Sequence, residues 1–153
     1  MINEIKQVSK LKMNIEKFDI RDYDEVSNLW LGTAGIGLRS VDDSRDGVAK
    51  FLERNPNTSF VAKINGEIVG VILCGDDGRR GHIYHMAVKG NVRKQGIGRI
   101  LVDEVIKALR KEGITRVALC VYNNNKVGNE FWERVGFNKR DDLFYRDMTI
   151  IDQ

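Results

Sequence analysis
The residues best able to handle charge are gathered in one stretch, residues 82–99. It opens with His82-Ile83-Tyr84-His85, runs through Met86-Ala87-Val88, and ends in Val92-Arg93-Lys94 followed by Gln95-Gly96-Ile97-Gly98-Arg99. The last five residues lead into a helical pattern, so they stand at a helix N-terminus, where four backbone N–H groups lack partners and about half a positive charge collects. Glycines there let an anion reach those N–H groups with no Cβ in the way, and Arg93 and Lys94 flank the same spot. The chemistry implied is capture of a diphosphate. The plainer alternative is a glycine-rich turn with a solvated basic flank. A dinucleotide fingerprint would need a third glycine where Leu101 stands and an acidic residue ending the next strand, where residues 117–121 offer none. A nucleoside-triphosphate loop would need Gly-Lys-Ser or Gly-Lys-Thr, which is absent.

His82, Tyr84 and His85 are the candidates for proton transfer. Strand alternation puts His82, Tyr84 and Met86 on one face and Ile83, His85 and Ala87 on the other, unless a bulge resets the parity. A histidine with a pKa near ~6.5 is partly neutral at pH 7 and can accept a proton directly or through water. For His82 the alternative role is a structural hydrogen bond at a strand end. Tyr84 could position the same water, and His85 is the second candidate base. Cys74 and Cys120 lie in apolar runs without CxxC spacing or nearby histidines. That setting predicts buried, reduced, non-catalytic thiols, and no metal site.

The surrounding pattern supplies the elements that must position these groups. Residues 58–64, Asn65-Gly66 and residues 67–74 predict a two-residue hairpin, because Asn-Gly provides two positive-φ positions. Residues 75–81 read as a turn and 82–88 as the third strand of an antiparallel meander. Ile97, Leu101, Val105 and Leu109 recur every fourth residue among polar neighbours, predicting an amphipathic helix over 97–112 closed by Gly113. Residues 116–121 read as an apolar strand, 126–135 as a short helix, and 137–150 as a closing pair of strands around Asp141-Asp142. Upstream, residues 14–20 are strand-like and Asp22 caps a helix carrying Val26, Leu29 and Trp30. A loop with Gly32, Gly35 and Gly37 follows, and then a helix over 42–54 ended by Asn55-Pro56-Asn57. Residues 1–12 have the spacing of a short amphipathic helix. The order predicts an α+β domain with one strand–helix–strand unit in a mostly antiparallel sheet.

At 153 residues, 42% hydrophobic, 31% charged and with one proline, the composition predicts one globular domain. The 25 Lys and Arg against 22 Asp and Glu give +3, which suits an anionic ligand and is too small to imply nucleic acid. No apolar run nears the ~20 residues of a membrane span, and the first residues lack a signal-peptide core, so a cytoplasmic protein with no membrane partner is expected.

Two motifs together resemble a known family. Arg93-Lys94-Gln95-Gly96-Ile97-Gly98, following Met86-Ala87-Val88, is similar to the Arg/Gln-x-x-Gly-x-Gly/Ala signature of the GNAT superfamily of N-acetyltransferases. Asn125-Lys126-Val127-Gly128-Asn129-Glu130-Phe131-Trp132-Glu133-Arg134-Val135-Gly136-Phe137 is similar to its Asn-x-x-Ala-x-x-Phe-Tyr-x-x-x-Gly-Phe segment. The resemblance spans about residues 14–150. It implies a GNAT fold: a mixed, mostly antiparallel sheet of six to seven strands with splayed central strands, flanked by about four helices. Residues 14–153 would form the single domain, and 1–13 an N-terminal extension.

The same resemblance implies an acyltransferase that moves an acetyl group from acetyl-coenzyme A to a primary amine by direct attack in a ternary complex. Backbone N–H groups of Gln95, Gly96, Ile97, Gly98 and Arg99, beside Arg93 and Lys94, would hold the pyrophosphate. The strand edge at Met86, Ala87 and Val88 would pair with the pantetheine arm. Asn125 would bond to that arm, cap the following helix, or do both. Gly128 would leave the cofactor room, and Trp132 shares its helix face; Val127, Phe131 and Val135 are assigned to the core. His82 stands where many members carry a catalytic glutamate or histidine.

Trp132 departs from the family pattern, which usually has tyrosine there as general acid to the leaving thiolate; indole cannot protonate sulfur. A thiol pKa near ~8.5 already makes a fair leaving group, whereas an alkylammonium near ~10.4 must first lose a proton, at about 5 kcal/mol at pH 7. Base catalysis should therefore outweigh acid catalysis. The acceptor wall would be formed by residues 30–45, with mixed charge from Arg39, Asp42, Asp43 and Arg45, and by the strand pair near Tyr145. A small-molecule or peptide amine is the expected partner, and a homodimer is left open. The alternatives are a catalytically weak acyl-coenzyme A sensing module, favoured by Trp132, and an RNA-associated protein, which lacks an exposed aromatic platform.

Overall fold
The computed structural model describes residues 12–152, so the helix expected over residues 1–12 lies almost wholly outside the described residues. Five strands form one sheet in the order β1 (Met13–Lys17), β2 (Phe60–Ile64), β3 (Glu67–Asp76), β4 (Gly81–Val88) and β5 (Val117–Leu119). The first four are antiparallel neighbours, and β5 runs parallel to β4. Helices α1 (Tyr23–Leu31) and α2 (Arg45–Arg54) precede the β2–β3 hairpin; α3 (Ile97–Lys111) connects β4 to β5, and α4 (Lys126–Arg134) follows.

The hairpin forms because Asn65 and Gly66 take φ of 52° and 81°, the left-handed pair that a two-residue connection requires. β3 is the centre of the sheet and is buried from Ile68 to Gly75. Its side chains alternate between two cores. Ile72 and Cys74 face Leu101, Val102 and Val105 of α3, while Val71 and Leu73 face Val26, Trp30 and Val48 of α1 and α2. Each fully buried aliphatic side chain contributes roughly 1.5–3 kcal/mol, so the period-four stripe of α3 holds the strand–helix–strand unit together. At the end of β3, the Thr58 and Ser59 hydroxyls both donate to the Cys74 carbonyl, at 2.7 and 3.0 Å. Burial pushes the Cys74 thiol up to about 12.

The α+β class stands, with five strands among the described residues rather than the six to seven expected. The expected strand pair over residues 137–150 does not form within the chain. β5 offers it only three residues of edge, and the charges at its expected turn are satisfied locally by Lys139 with Asp141 and Arg140 with Asp142. Cys120 is exposed rather than buried, since strand pairing has already ended at Leu119. Val127, expected in the core, is 74% exposed, whereas Phe131 and Val135 do pack against the α3 core. α2 starts at Arg45, three residues late, because the Ser44 hydroxyl accepts the Gly47 N–H as its cap. Asp22 precedes α1 without capping it. Its carboxylate is held by Lys63 and by the Asp19 N–H.

Candidate active site
The turn into α3 is built from backbone. Gly96, its N-cap residue, has φ of 83°, a conformation L side chains rarely adopt, and Lys94 before it is also left-handed at 64°. No side chain caps the helix, and its first internal bond runs from the Ile100 N–H to the Gly96 carbonyl at 3.1 Å. The N–H groups of Ile97, Gly98 and Arg99 therefore precede the ladder. No atom lies within 4 Å of where a Cβ on Gly96 would stand, so the approach to these donors is open. Two contacts fix the turn: the Ile97 side chain is buried, and Arg93 Nε donates to the Val88 carbonyl at 3.0 Å. Phe131 of α4 buttresses the helix start, where a Cβ on Gly98 would meet its ring at 3.1 Å.

Next to this turn, β4 has an open edge. β5 pairs with residues 81–83 and stops at Ile83↔Leu119, so residues 84–88 have no β5 partner. A splayed edge of this kind presents N–H and C=O groups to an extended ligand carrying amides. Across the gap, Asn125 caps α4 by accepting the Gly128 N–H at 3.0 Å through Oδ1. The loop after α1 lies over the same place. A Cβ on Gly35 would sit 2.6 Å from Asn125 Nδ2, and one on Gly37 would sit 2.5 Å from the Tyr122 hydroxyl oxygen. Gly128 packs under the Asn125 amide, and Trp132 is held between the rings of Phe131 and Phe137 at 5.0 and 5.1 Å.

The α1–α2 side of β4 depends on one irregularity. Leu73 pairs with His85 while Cys74 pairs with Ile83, so Tyr84 is an extra residue, a β-bulge. Ile83 points into the α3 core and Ala87 into the α1–α2 core. The bulge thus brings His82 and His85 to the same α1–α2 face, whereas Met86 turns to the α3 side, against simple alternation. The Tyr84 ring meets Phe51 of α2 at 5.5 Å and the His82 ring at 4.6 Å. Burial lowers the pKa of His82 below the ordinary histidine value, which favours the neutral ring. Among the described residues, nothing hydrogen-bonds to that ring. Burial foremost raises the Tyr84 hydroxyl above the ordinary tyrosine value and keeps it protonated.

His85 is held tightly. Its Nε2 lies 2.8 Å from Asp43 Oδ1, the two side chains are only 12% and 10% exposed, and its ring meets Trp30 edge-on at 5.1 Å. The other Asp43 oxygen accepts the Arg39 N–H at 2.7 Å, and the Asp43 carbonyl accepts the Tyr23 hydroxyl at 2.8 Å.

The acetyltransferase (GNAT) family model matches residues 23–137, well over half of the chain. The chain belongs to the GNAT family. A protein from Yersinia pestis (strain Pestoides F) named acetyltransferase is 28% identical over 141 residues, covering 92% of this chain and 99% of its own. PaiA N-acetyltransferase from Thermoplasma acidophilum, solved in complex with coenzyme A, has a TM-score of 0.73 at 22% identity, covering 84% of this chain and 91% of its own. An aminoglycoside acetyltransferase from an uncultured soil metagenomic sample, in complex with sisomicin, also gives 0.73, at 17% identity over 93% of this chain and 99% of its own. These likenesses confirm the GNAT fold, and the family makes the chain an acyltransferase of acetyltransferase type.

In this GNAT acetyltransferase, the sequence-predicted residues fall into two groups. Met86, Val88, Arg93 and residues 95–99 gather at the open edge and helix start, with Asn125 and Gly128 across the gap; Ala87 points into the α1–α2 core. His82, Tyr84 and His85 gather on the face toward α2 and the α1–α2 loop. Asp43 was legible only as one charge of a mixed wall, and its contact with His85 spans 42 residues with no local signal to announce it. Among the described residues, no three His, Cys, Asp or Glu converge as metal ligands, and no helix is long and apolar enough to cross a membrane.

Proposed function
We propose that the chain transfers an acetyl group from acetyl-coenzyme A to a primary amine, with His82 as the general base. One observation carries the reading: β4 joins an open edge and an uncapped helix start to a half-buried histidine on its α1–α2 face. The open space before Gly96 and the unpaired N–H groups of residues 97–99 fit a pyrophosphate, with Arg93 and Lys94 beside it. The edge at residues 86–88 and the Asn125 amide suit the two amides of the pantetheine arm. When bound, acetyl-coenzyme A supplies an activated thioester.

The amine nitrogen attacks the thioester carbonyl carbon; a C–N bond forms, the C–S bond breaks, and the thiolate leaves. The amine proton passes to His82, directly or through a water oriented by the Tyr84 hydroxyl. Cys74 has no part in this, since its raised pKa keeps it a thiol, so direct transfer is favoured over an acetyl-enzyme. Neighbours named for ribosomal-protein alanine and for aminoglycosides support an amine acceptor.

The test is thiol release from acetyl-coenzyme A across a panel of small-molecule and peptide amines. Turnover with at least one amine, lost in His82→Ala, is expected. Trp132, engaged by Phe131 and Phe137, favours a second reading as an acyl-coenzyme A sensor. Tight binding with no thiol release for any amine would select that reading.

A further inference from the structure
We propose that Tyr122, closed against Gly37, restricts the acyl group this chain accepts to one about as short as acetyl. The selection rests on the proposed binding of acyl-coenzyme A along β4. The open edge of that strand has two ends. Past Val88 lies the turn into α3 with its unpaired N–H groups, and at the other end β5 closes the edge where Ile83 pairs with Leu119. An arm whose phosphates sit at the turn runs along residues 88–84, a span of about 13 Å, so its acyl end arrives where the chain leaves β5. Tyr122 follows shortly after Leu119.

Tyr122 is fixed at that point from two sides. Its carbonyl accepts the Asn125 N–H and the Asn129 Nδ2, both at 3.0 Å, which pins its backbone to the first turn of α4. From there the side chain reaches the loop after α1, where a Cβ on Gly37 would stand 2.5 Å from the hydroxyl oxygen and 3.3 Å from Cζ. Gly37 is not left-handed, so its backbone does not demand glycine; the room taken by the Tyr122 ring does. Gly35 meets the Asn125 amide in the same way, at 2.6 Å, so the loop is fitted to this flank at two points. The Tyr122 ring is nevertheless 60% exposed, which marks the wall of an open cleft rather than a core residue. An acyl chain continuing past its second carbon meets the β5 main chain ahead and a phenol hydroxyl and an amide beside it. Methylenes pressed on those polar groups strip their water and return no hydrogen bond.

The test is calorimetric binding of coenzyme A and of its acetyl, butyryl and hexanoyl thioesters to the full chain, to Tyr122→Ala and to Tyr122→Phe. Truncation keeps the pinned carbonyl and removes a mostly exposed ring, so circular dichroism should be unaltered. The wild type is expected to bind the acetyl thioester at least about tenfold more tightly than the hexanoyl, and Tyr122→Ala to bring the two within about twofold. Tyr122→Phe, which loses only the hydroxyl, should narrow the ratio at least about threefold, and it decides the matter should the alanine variant unfold. Gly96→Val should weaken all four ligands alike and leave the ratio as it was. Equal binding of the three thioesters by the wild type, or the wild-type ratio in a folded Tyr122 variant, would overturn the proposal and leave acyl-coenzyme A binding intact. Binding of none of the four would overturn the cofactor reading, and the proposal with it.

Discussion

The two flanks of β4 are built from different material. On the side toward α3 and α4, the site is backbone: a left-handed glycine, three N–H groups ahead of the helix ladder and a strand edge that β5 leaves open. On the side toward α1 and α2, it is side chain: His82 against the tilted Tyr84 ring, and His85 clasped by Asp43 and Trp30. Backbone donors recognise what every acyl-coenzyme A shares, its phosphates and amides. On the proposed reading, acceptor choice and proton transfer belong to the side chains of β4 and of the loop after α1, which are free to differ. Damage to the first flank should therefore appear in cofactor affinity, and damage to the second in turnover or acceptor KM.

His82→Ala carries the largest expected effect. Loss of the base should lower kcat by roughly 10² or more while coenzyme A affinity stays unchanged. Because burial disfavours the imidazolium, the folded His82 pKa lies below the ordinary value; the rate should rise with pH through a limb below ~6.5, as the proton leaves the ring. Raising the pH further should partly rescue His82→Ala, since more of the amine is then already neutral. A mutant as fast as wild type at pH 7 would pass the role to His85, Tyr84 or a water. A change in cofactor affinity instead would dissolve the contrast between the flanks.

Gly96→Val tests the other flank. A branched side chain at φ of 83° is strained and enters the open approach to the helix start, so coenzyme A should bind at least about tenfold more weakly by calorimetry. The protein should stay folded, because no atom lies within 4 Å of the new Cβ. Unchanged affinity in the folded variant would show that the turn does not hold the phosphates.

Asp43→Asn should act between these extremes. The carboxylate fastens the loop after α1 to β4 through His85 and the Arg39 N–H, and an amide keeps the shape while weakening the charged hold on the ring. Acceptor KM should rise roughly fivefold with kcat and cofactor affinity nearly unchanged. A fall in kcat as large as that of His82→Ala would make His85 with Asp43 the catalytic pair.

What could be read from the sequence follows the same division. The helix start at Gly96, the Asn65-Gly66 hairpin and the Asn125 cap are local: neighbouring residue types dictate φ and the first hydrogen bonds, so a few residues suffice. The histidine face is not local. It turns on the bulge at Tyr84, which only the register against Leu73 and Cys74 defines, and on a carboxylate 42 residues upstream. Asp43 even misleads, because as an acid near a helix start it reads as part of α2. Committed to His85, it leaves the cap to Ser44. The absent closing strands fail for a related reason. Residues 143–151 have strand character, but ladder formation needs an edge longer than the three residues β5 supplies within one chain.

Trp132→Tyr should have the smallest effect, and it sharpens the comparison because Trp132 belongs to the backbone-built flank. Its indole lies between Phe131 and Phe137 and packs against the α3 core, and the Phe137 N–H donates to the Trp132 carbonyl at 2.9 Å, closing the end of α4. Tyrosine there would lose some apolar area, a cost of about 1 kcal/mol, and would gain a hydroxyl able to protonate a departing thiolate. With a thiol pKa near ~8.5 the thiolate leaves at pH 7 with little help, whereas the ammonium must lose its proton across about 3.4 pK units. The expected change in kcat at pH 7 is less than about threefold, read by thiol release with saturating amine. A tenfold gain would mean that thiolate departure limits the rate, and that the acid, not the base, is what this enzyme lacks.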